Sequence, residues 1–386
     1  MDEYYLAQPP PHITGVAVNM RQLIKRITCC LALATGVASW AEPARSESTN
    51  QPNSLALHIH TLSFLQNNEY FGPFIEGYTL GGYQVHPYLA YQSPPGITAK
   101  WGIFLQRDWA DTKLFSNLTP TFTLQYKKDH TTFLMGTLDG IHTHQLLQPL
   151  CNTQRAMMEK PETGLRIYHA HGRTLVDLWL HWLTLLNKSV QMPEELMAGL
   201  SFEQSLVDTD LLTLQIPLQV ILYHLGGQGV PVRDYSLWVG ALGSRLSLRK
   251  KGNGLLKKLC LETYYITSHY AKQPDRPFLR GHGLYSQITC HTAWVDLQAS
   301  YWNAYGFSSE NLGHPLYQSM KLVHQHVVHQ EAHRHLVFFH INYTHDLTKD
   351  LKLVLHMDPY YDINHHLLEH AAGLYITYRP CFELNR

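Results

Sequence analysis

Leu211-Leu212-Thr213-Leu214-Gln215-Ile216-Pro217-Leu218-Gln219-Val220-Ile221-Leu222-Tyr223-His224-Leu225 is the stretch on which the fold turns. Read with a period of two, Leu212, Leu214, Ile216, Leu218, Val220 and Leu222 share one face. Thr213, Gln215, Pro217 and Gln219 share the other. Side chains on a strand point alternately to opposite faces, so this is a strand with one apolar and one polar side. The glutamines and the proline rule out a transmembrane helix here, and Pro217 should cause a local break, bulge or unpaired position in any ladder that contains it.

The same alternation runs along most of the chain. Leu118, Pro120, Phe122, Leu124 and Tyr126 oppose Thr119, Thr121, Thr123, Gln125 and Lys127, and after Lys128-Asp129-His130 the segment 131–138 returns. Ala198, Leu200 and Phe202 oppose Gly199, Ser201, Glu203 and Ser205. Val295, Leu297 and Ala299 oppose Asp296, Gln298 and Ser300. Val337 to Thr344, Leu351 to Met357 and Leu374 to Arg379 repeat the pattern. Further candidates are 83–92, 97–107, 165–171, 174–182, 236–248, 255–270 and 283–290. Most are roughly ten residues long, enough to cross a bilayer at a tilt and longer than ordinary soluble strands. Tyr83, Tyr91, Trp101, Trp109, Tyr126, Trp182, Tyr301 and Tyr343 stand near strand ends, as interfacial aromatic girdles do. The expectation is an all-β, transmembrane antiparallel barrel of about fourteen strands, within a range of about twelve to sixteen.

Composition agrees. Of 386 residues only 16 % are charged, 11 % are aromatic and the formal net charge is zero. A soluble domain of this size normally covers itself with more charge, whereas lipid covers the outside of a barrel. The balanced charge gives no basis for a nucleic-acid partner. From Met20 the chain reads as an export signal: Arg21, Lys25 and Arg26, then the apolar run 27–37, then Ser39-Trp40-Ala41 as a cleavage site. Residues 1–41 are therefore expected to be an N-terminal extension and a cleaved signal peptide, 42–68 a leader segment, and 69–386 the barrel. Neither 175–186, broken by Asp177 and His181, nor 211–225 qualifies as a spanning helix. An exported protein of this kind is expected in the bacterial outer membrane. Its expected partners are outer-membrane lipid and lipopolysaccharide, and the barrel-assembly machinery during insertion. Oligomeric state is left open.

Several segments carry a resemblance. They are Phe104-Leu105-Gln106-Arg107-Asp108-Trp109, Gly136-Thr137-Leu138-Asp139-Gly140 with His144 and Gln148-Pro149-Leu150, and Ile216-Pro217-Leu218-Gln219 with Tyr223-His224-Leu225-Gly226-Gly227-Gln228. Pro315-Leu316-Tyr317-Gln318-Ser319 and Pro359-Tyr360-Tyr361-Asp362 belong to the same set. Together, over about Tyr83 to Arg379, the chain resembles an uncharacterised, porin-like family of outer-membrane barrels from Bacteroidetes-type bacteria. The resemblance implies barrel architecture and outer-membrane location and supplies no reaction. Leu225 and Cys151 depart from it.

Chemistry-bearing motifs are sparse. The four cysteines beyond the signal, Cys151, Cys260, Cys290 and Cys381, lack metal-type spacing and read as unpaired. The 26 histidines cluster at 58/60, 142/144, 169/171, 324–335 and 365–370. Imidazole pairs can bind zinc, copper or nickel, but surface or loop histidine is the favoured reading, and no metal or cofactor is assigned. His366-Leu367-Leu368-Glu369-His370 matches H-x-x-E-H, a pattern that needs a helix, where a strand follows at once. His329-Gln330-Glu331-Ala332-His333 matches H-E-x-x-H only loosely. Asp177, His181, Glu203, Gln215, Gln219, Asp296 and Gln298 are expected to line the lumen, with no catalytic residue assigned. Two long connections, 141–164 and 306–334, are expected to face outward and carry recognition. The functional expectation is a non-enzymatic barrel passing small polar solutes. The alternatives are a non-conducting attachment or scaffold barrel and, second, a barrel hydrolase.

Overall fold

A computed structural model describes residues 53–229, 234–252, 254–271, 275–323 and 326–384. The signal-peptide segment lies outside the described residues. In chain order the first strands are β1 (Ser54–Glu69), β2 (Tyr78–Ser93), β3 (Ile97–Asp108), β4 (Asn117–Lys128), β5 (Thr131–Thr137), β6 (Thr163–His171), β7 (Thr174–Thr184), β8 (Glu194–Asp208) and β9 (Leu212–Gly226). They continue with β10 (Tyr235–Arg249), β11 (Leu256–Ala271), β12 (Arg280–Thr292), β13 (Val295–Tyr305), a small hairpin of β14 (Met320–Val323) and β15 (His326–Gln330), then β16 (His333–Asp346), β17 (Leu351–Asp362) and β18 (Leu367–Tyr378). A last piece, β19 (Cys381–Glu383), pairs with the start of β1.

Each strand pairs antiparallel with its neighbours, and β13 pairs with β16 across the hairpin. β1 closes the ring: Phe64 lies opposite Gly82 of β2 on one side and Tyr375 of β18 on the other. Leaving β14, β15 and β19 aside, the described residues form a closed barrel of sixteen strands. The expectation of about fourteen is corrected to sixteen. All of the segments read as strands from the sequence are strands. The strand they omit is β1, which falls in the expected leader segment 42–68. The barrel therefore begins at Ser54 rather than at residue 69. The reason is chemical. On β1, Phe64 and Leu62 turn inward while Leu57 and Leu65 turn outward, so its two faces are not unlike in polarity.

The outer face is an apolar band. Trp101, Ile103, Phe122, Leu124, Leu178, Leu242, Leu261, Leu284, Phe339 and Leu374 are exposed on it, and Trp101 lies against Phe122 on the next strand, ring centroids 5.9 Å apart. So large an apolar surface fits lipid rather than water. Inward positions alternate with it. On β9, Thr213, Pro217, Gln219, Ile221 and Tyr223 are buried and face inward. Pro217 has the expected consequence. The ladder to β10 pairs Gln215 with Arg245 and Leu218 with Leu242, leaving Ile216 and Pro217 without partners there. Pro87 interrupts β2–β3 and Pro359 interrupts β16–β17 in the same way, with the register unchanged across each gap. A proline has no N–H to give to the ladder.

Turns on one rim are short, such as 129–130, 172–173 and 293–294, and connections on the other are long, notably 138–162 and 306–332. Short periplasmic turns and long outer connections are the rule for such barrels, which sets the orientation. The two longest connections do not face outward as expected. They fold back into the barrel, because each carries an apolar set of its own: Ile141, Leu147, Leu150 and Met157 in one, Phe307, Leu312, Leu316 and Tyr317 in the other, all buried. Most of these pack with inward-facing Trp179, Ile221, Tyr235, Tyr264, Tyr285, Trp302 and Phe338 in one apolar cluster. The connections also bond to each other. Asn152 N–H donates to the Leu312 carbonyl at 2.8 Å, and His314 N–H donates to the Gln148 carbonyl at 3.0 Å.

Candidate active site inside the barrel

Three consecutive inward positions of β7, Asp177, Trp179 and His181, form the wall against which the 138–162 connection rests. Opposite Trp179 in the ladder is Gly199 of β8, where the absence of a side chain makes room for the indole. His144, in a short 3-10 turn (Ile141–His144) of the connection, stacks flat on Trp179 with ring centroids 3.9 Å apart. Its Nδ1 lies 2.8 Å from Asp177 Oδ2, and its Nε2 lies 3.3 Å from Glu162 Oε2. Arg166 of β6 grips Asp177 with two bonds, Nε to Oδ1 at 2.8 Å and Nη2 to Oδ2 at 2.9 Å. The third Arg166 nitrogen, Nη1, donates to the Thr143 hydroxyl at 2.9 Å. His181 Nδ1 stands 3.7 Å from Glu162 Oε1.

The electrostatics follow from this packing. Burial by itself would discharge His144, but the hydrogen bond to Asp177 and the facing Glu162 carboxylate outweigh it and hold its pKa above the ordinary histidine value. Burial would likewise raise Glu162, and the facing His144 holds it below the usual carboxylate range. A histidine whose Nδ1 is held by a buried carboxylate, with Nε2 toward a second carboxylate, is built to hold or move a proton at Nε2.

The residues expected to line the lumen fall into three groups. Asp177 and His181 join this cluster. Gln219 is buried beside it and anchors the connection, accepting the Leu147 N–H and donating to the Gln145 carbonyl, each at 3.0 Å. Glu203 and Gln215 sit nearer the periplasmic rim and bond to each other, and Arg245 joins Glu203 to Glu262, with Arg245 Nε 2.8 Å from Glu262 Oε2. Asp296 pairs with His291 at 2.9 Å, and Gln298 donates to Gln287 at 3.1 Å. His144, Glu162, Arg166, Arg245 and Glu262 are not among the expected site residues. His144 is visible in the sequence only within a histidine pair, and Arg166 occupies an inward position of an expected strand. Glu162 could not be read, because only the inward fold of the connection gives it a role. The H-x-x-E-H segment is no helix: His366 is in the turn and Leu367 begins the strand, where Glu369 turns inward and accepts the Gly72 N–H at 2.6 Å, while His370 is exposed on the opposite face.

The profile of the lipid A 3'-O-deacylase-type family matches residues 46–386. No curated relative matches the sequence. Among solved structures, a loop-deletion variant of the outer membrane protein OmpT of Vibrio cholerae superposes with a TM-score of 0.50 at 8 % identity, covering 86 % of this chain and 100 % of that one. The outer membrane protein OprD of Pseudomonas aeruginosa gives 0.49 at 8 %, covering 90 % and 98 %, and OccAB4 of Acinetobacter baumannii gives 0.49 at 10 %, covering 87 % and 100 %. At 8 % identity the likeness to the OmpT variant speaks for the barrel alone. The reading of the chain as a non-enzyme is overturned by the family match, since that family takes its name from an enzyme activity. The protein is an outer-membrane β-barrel, and it belongs to the lipid A 3'-O-deacylase-type family.

Proposed function

We propose that this barrel is an outer-membrane hydrolase that removes an ester-linked acyl chain from a lipid A-type glycolipid. The observation that carries the reading is His144 held between Asp177 and Glu162 in a chain of the deacylase-type family. Asp177, gripped by Arg166, accepts the hydrogen bond from Nδ1 and so leaves Nε2 to act as the base. Nε2 takes a proton from water, the water oxygen attacks the acyl carbonyl carbon, the ester C–O bond breaks, and the same proton passes to the departing sugar oxygen. Nε2 faces Glu162 and is enclosed, so turnover requires the Glu162 side chain and the outer part of the 138–162 connection to move aside, leaving His144 on Asp177 with Nε2 unprotonated.

The test uses folded, purified protein with lipid A in mixed micelles, read by mass spectrometry. Release of one acyl chain by the wild type, and a loss of about 100-fold or more in His144→Ala with the folded-barrel gel shift retained, support the reading. No acyl release by the wild type contradicts it. A second reading, porin-like passage of small polar solutes, draws support from the lower lumen, where the Glu203 and Arg245 side chains each keep 22 % exposure. Channel events in a planar bilayer would favour that reading.

A further inference from the structure

At the outer rim, apart from the cluster just described, three side chains from two connected regions converge: His329 at the end of the β14–β15 hairpin, Glu331 just after it, and His365 in the turn between β17 and β18. One ligand atom from each lies within 4.8 Å of the other two. We propose that these residues bind one divalent transition-metal ion of the zinc class.

The geometry is close to what such an ion needs. Tetrahedral zinc with bonds of about 2.0–2.1 Å places its donors about 3.4 Å apart. His365 Nε2 and Glu331 Oε2 are already 3.5 Å apart. His329 Nε2 is enclosed and has no hydrogen-bond partner, which is costly for a ring nitrogen unless something occupies it. His365 Nδ1 lies 3.1 Å from Asp362 Oδ2, close to but not aligned for a hydrogen bond, so a carboxylate stands behind the imidazole while Nε2 faces Glu331. Such a second carboxylate orients the ring and raises its basicity in zinc sites. Phe74 packs edge-on against both rings, at 4.9 Å from His329 and 6.4 Å from His365, and gives the site an apolar wall.

Charge permits the ion. Arg334 is the facing cation, with Nη1 3.2 Å from Glu331 and 2.9 Å from Asp362. Two carboxylates against one guanidinium leave a net negative charge for the metal to neutralise. Two imidazoles and a carboxylate are donors that zinc, copper and nickel favour over magnesium or calcium. Three protein ligands leave a fourth position for water or an anionic oxygen. The ion would tie the 306–332 connection to the β17–β18 turn at the mouth of the barrel.

The probe is zinc chloride alone, titrated calorimetrically into folded full-length protein in detergent. One equivalent bound by the wild type, weakened at least tenfold in each of His329→Ala, His365→Ala and Glu331→Gln but unchanged in His326→Ala of the same hairpin, is the expected result. Asp362→Asn, a positioning residue, should cost about 10- to 100-fold in affinity. Every variant is checked for the folded-barrel gel shift, and Co(II) in place of zinc should give the intense visible absorption of a four-coordinate site. No binding by the wild type, or binding that survives His329→Ala combined with His365→Ala, overturns the proposal.

Discussion

Gly199 and Trp179 set the depth at which His144 sits. A Cβ at position 199 would run into the six-membered ring of Trp179, and the indole cannot retreat without pushing His144 off its carboxylates. Gly199→Ala should therefore destabilise the barrel by about 1–3 kcal/mol, and acyl release should fall with it. A melting curve followed by gel shift checks the first effect. An unchanged midpoint would mean that the indole has slack. Acidity tests the same residues in another way. The folded pKa of His144 is raised, so its stabilising contribution is complete below the ordinary value of 6.5 and is lost as pH climbs through the raised folded value. Glu162, held low, contributes above its ordinary value of 4.5 and loses that contribution as pH falls. The melting midpoint should thus drop on the alkaline side, and His144→Gln should remove that part of the slope. A wild-type and a variant curve that run parallel from pH 6 to 9 would contradict the assignment.

Among elements, β9 was the most legible in the sequence and β1 the least, and the contrast has one cause. On β9 the outward set Leu214, Leu218 and Leu222 is apolar, and the inward set includes Thr213, Gln215 and Gln219, so the period of two is visible. On β1 both sides carry apolar residues and the polar inward positions are His58, His60, Gln66 and Asn68, so the period is blurred. The inward fold of the long connections was not legible, since a buried Leu147 or Phe307 looks the same in sequence as an exposed one. Leu218 lies near the middle of β9, and Leu218→Arg should cost about 2–4 kcal/mol, measured as loss of folding free energy in bilayers. A cost near zero would place that face away from lipid. The connections can be tested as a pair. With Cys151→Ser as background, Gln148→Cys and His314→Cys should form a disulfide, because their backbones already bond at 3.0 Å. If the outer part of the connection must move aside for turnover, oxidation should lower acyl release at least tenfold and reductant should restore it. Equal activity in both states would show that no opening is needed.

The described residues form a barrel with two unlike halves inside. The outer half is filled by the two connections and an aromatic-rich cluster around Trp179, Tyr264, Tyr285 and Trp302. The inner half carries the polar network of Glu203, Gln215, Arg245 and Glu262. The barrel and its membrane face could be read from alternation alone, whereas the filling depends on contacts such as Asn152 with Leu312, which are 160 residues apart and leave no periodic trace. A lipid-facing wall around a filled lumen is the core of this account, and spin labels placed singly along β9 in a bilayer test it most directly. Labels at Leu214, Leu218 and Leu222 should be accessible to oxygen, a label at Gln215 to a polar reagent, and a label at Gln219, beneath the 138–162 connection, to neither. Polar-reagent access at Gln219 equal to that at Gln215 would mean an open lumen, and Leu214 and Leu218 shielded from oxygen would mean that this face is not in lipid at all.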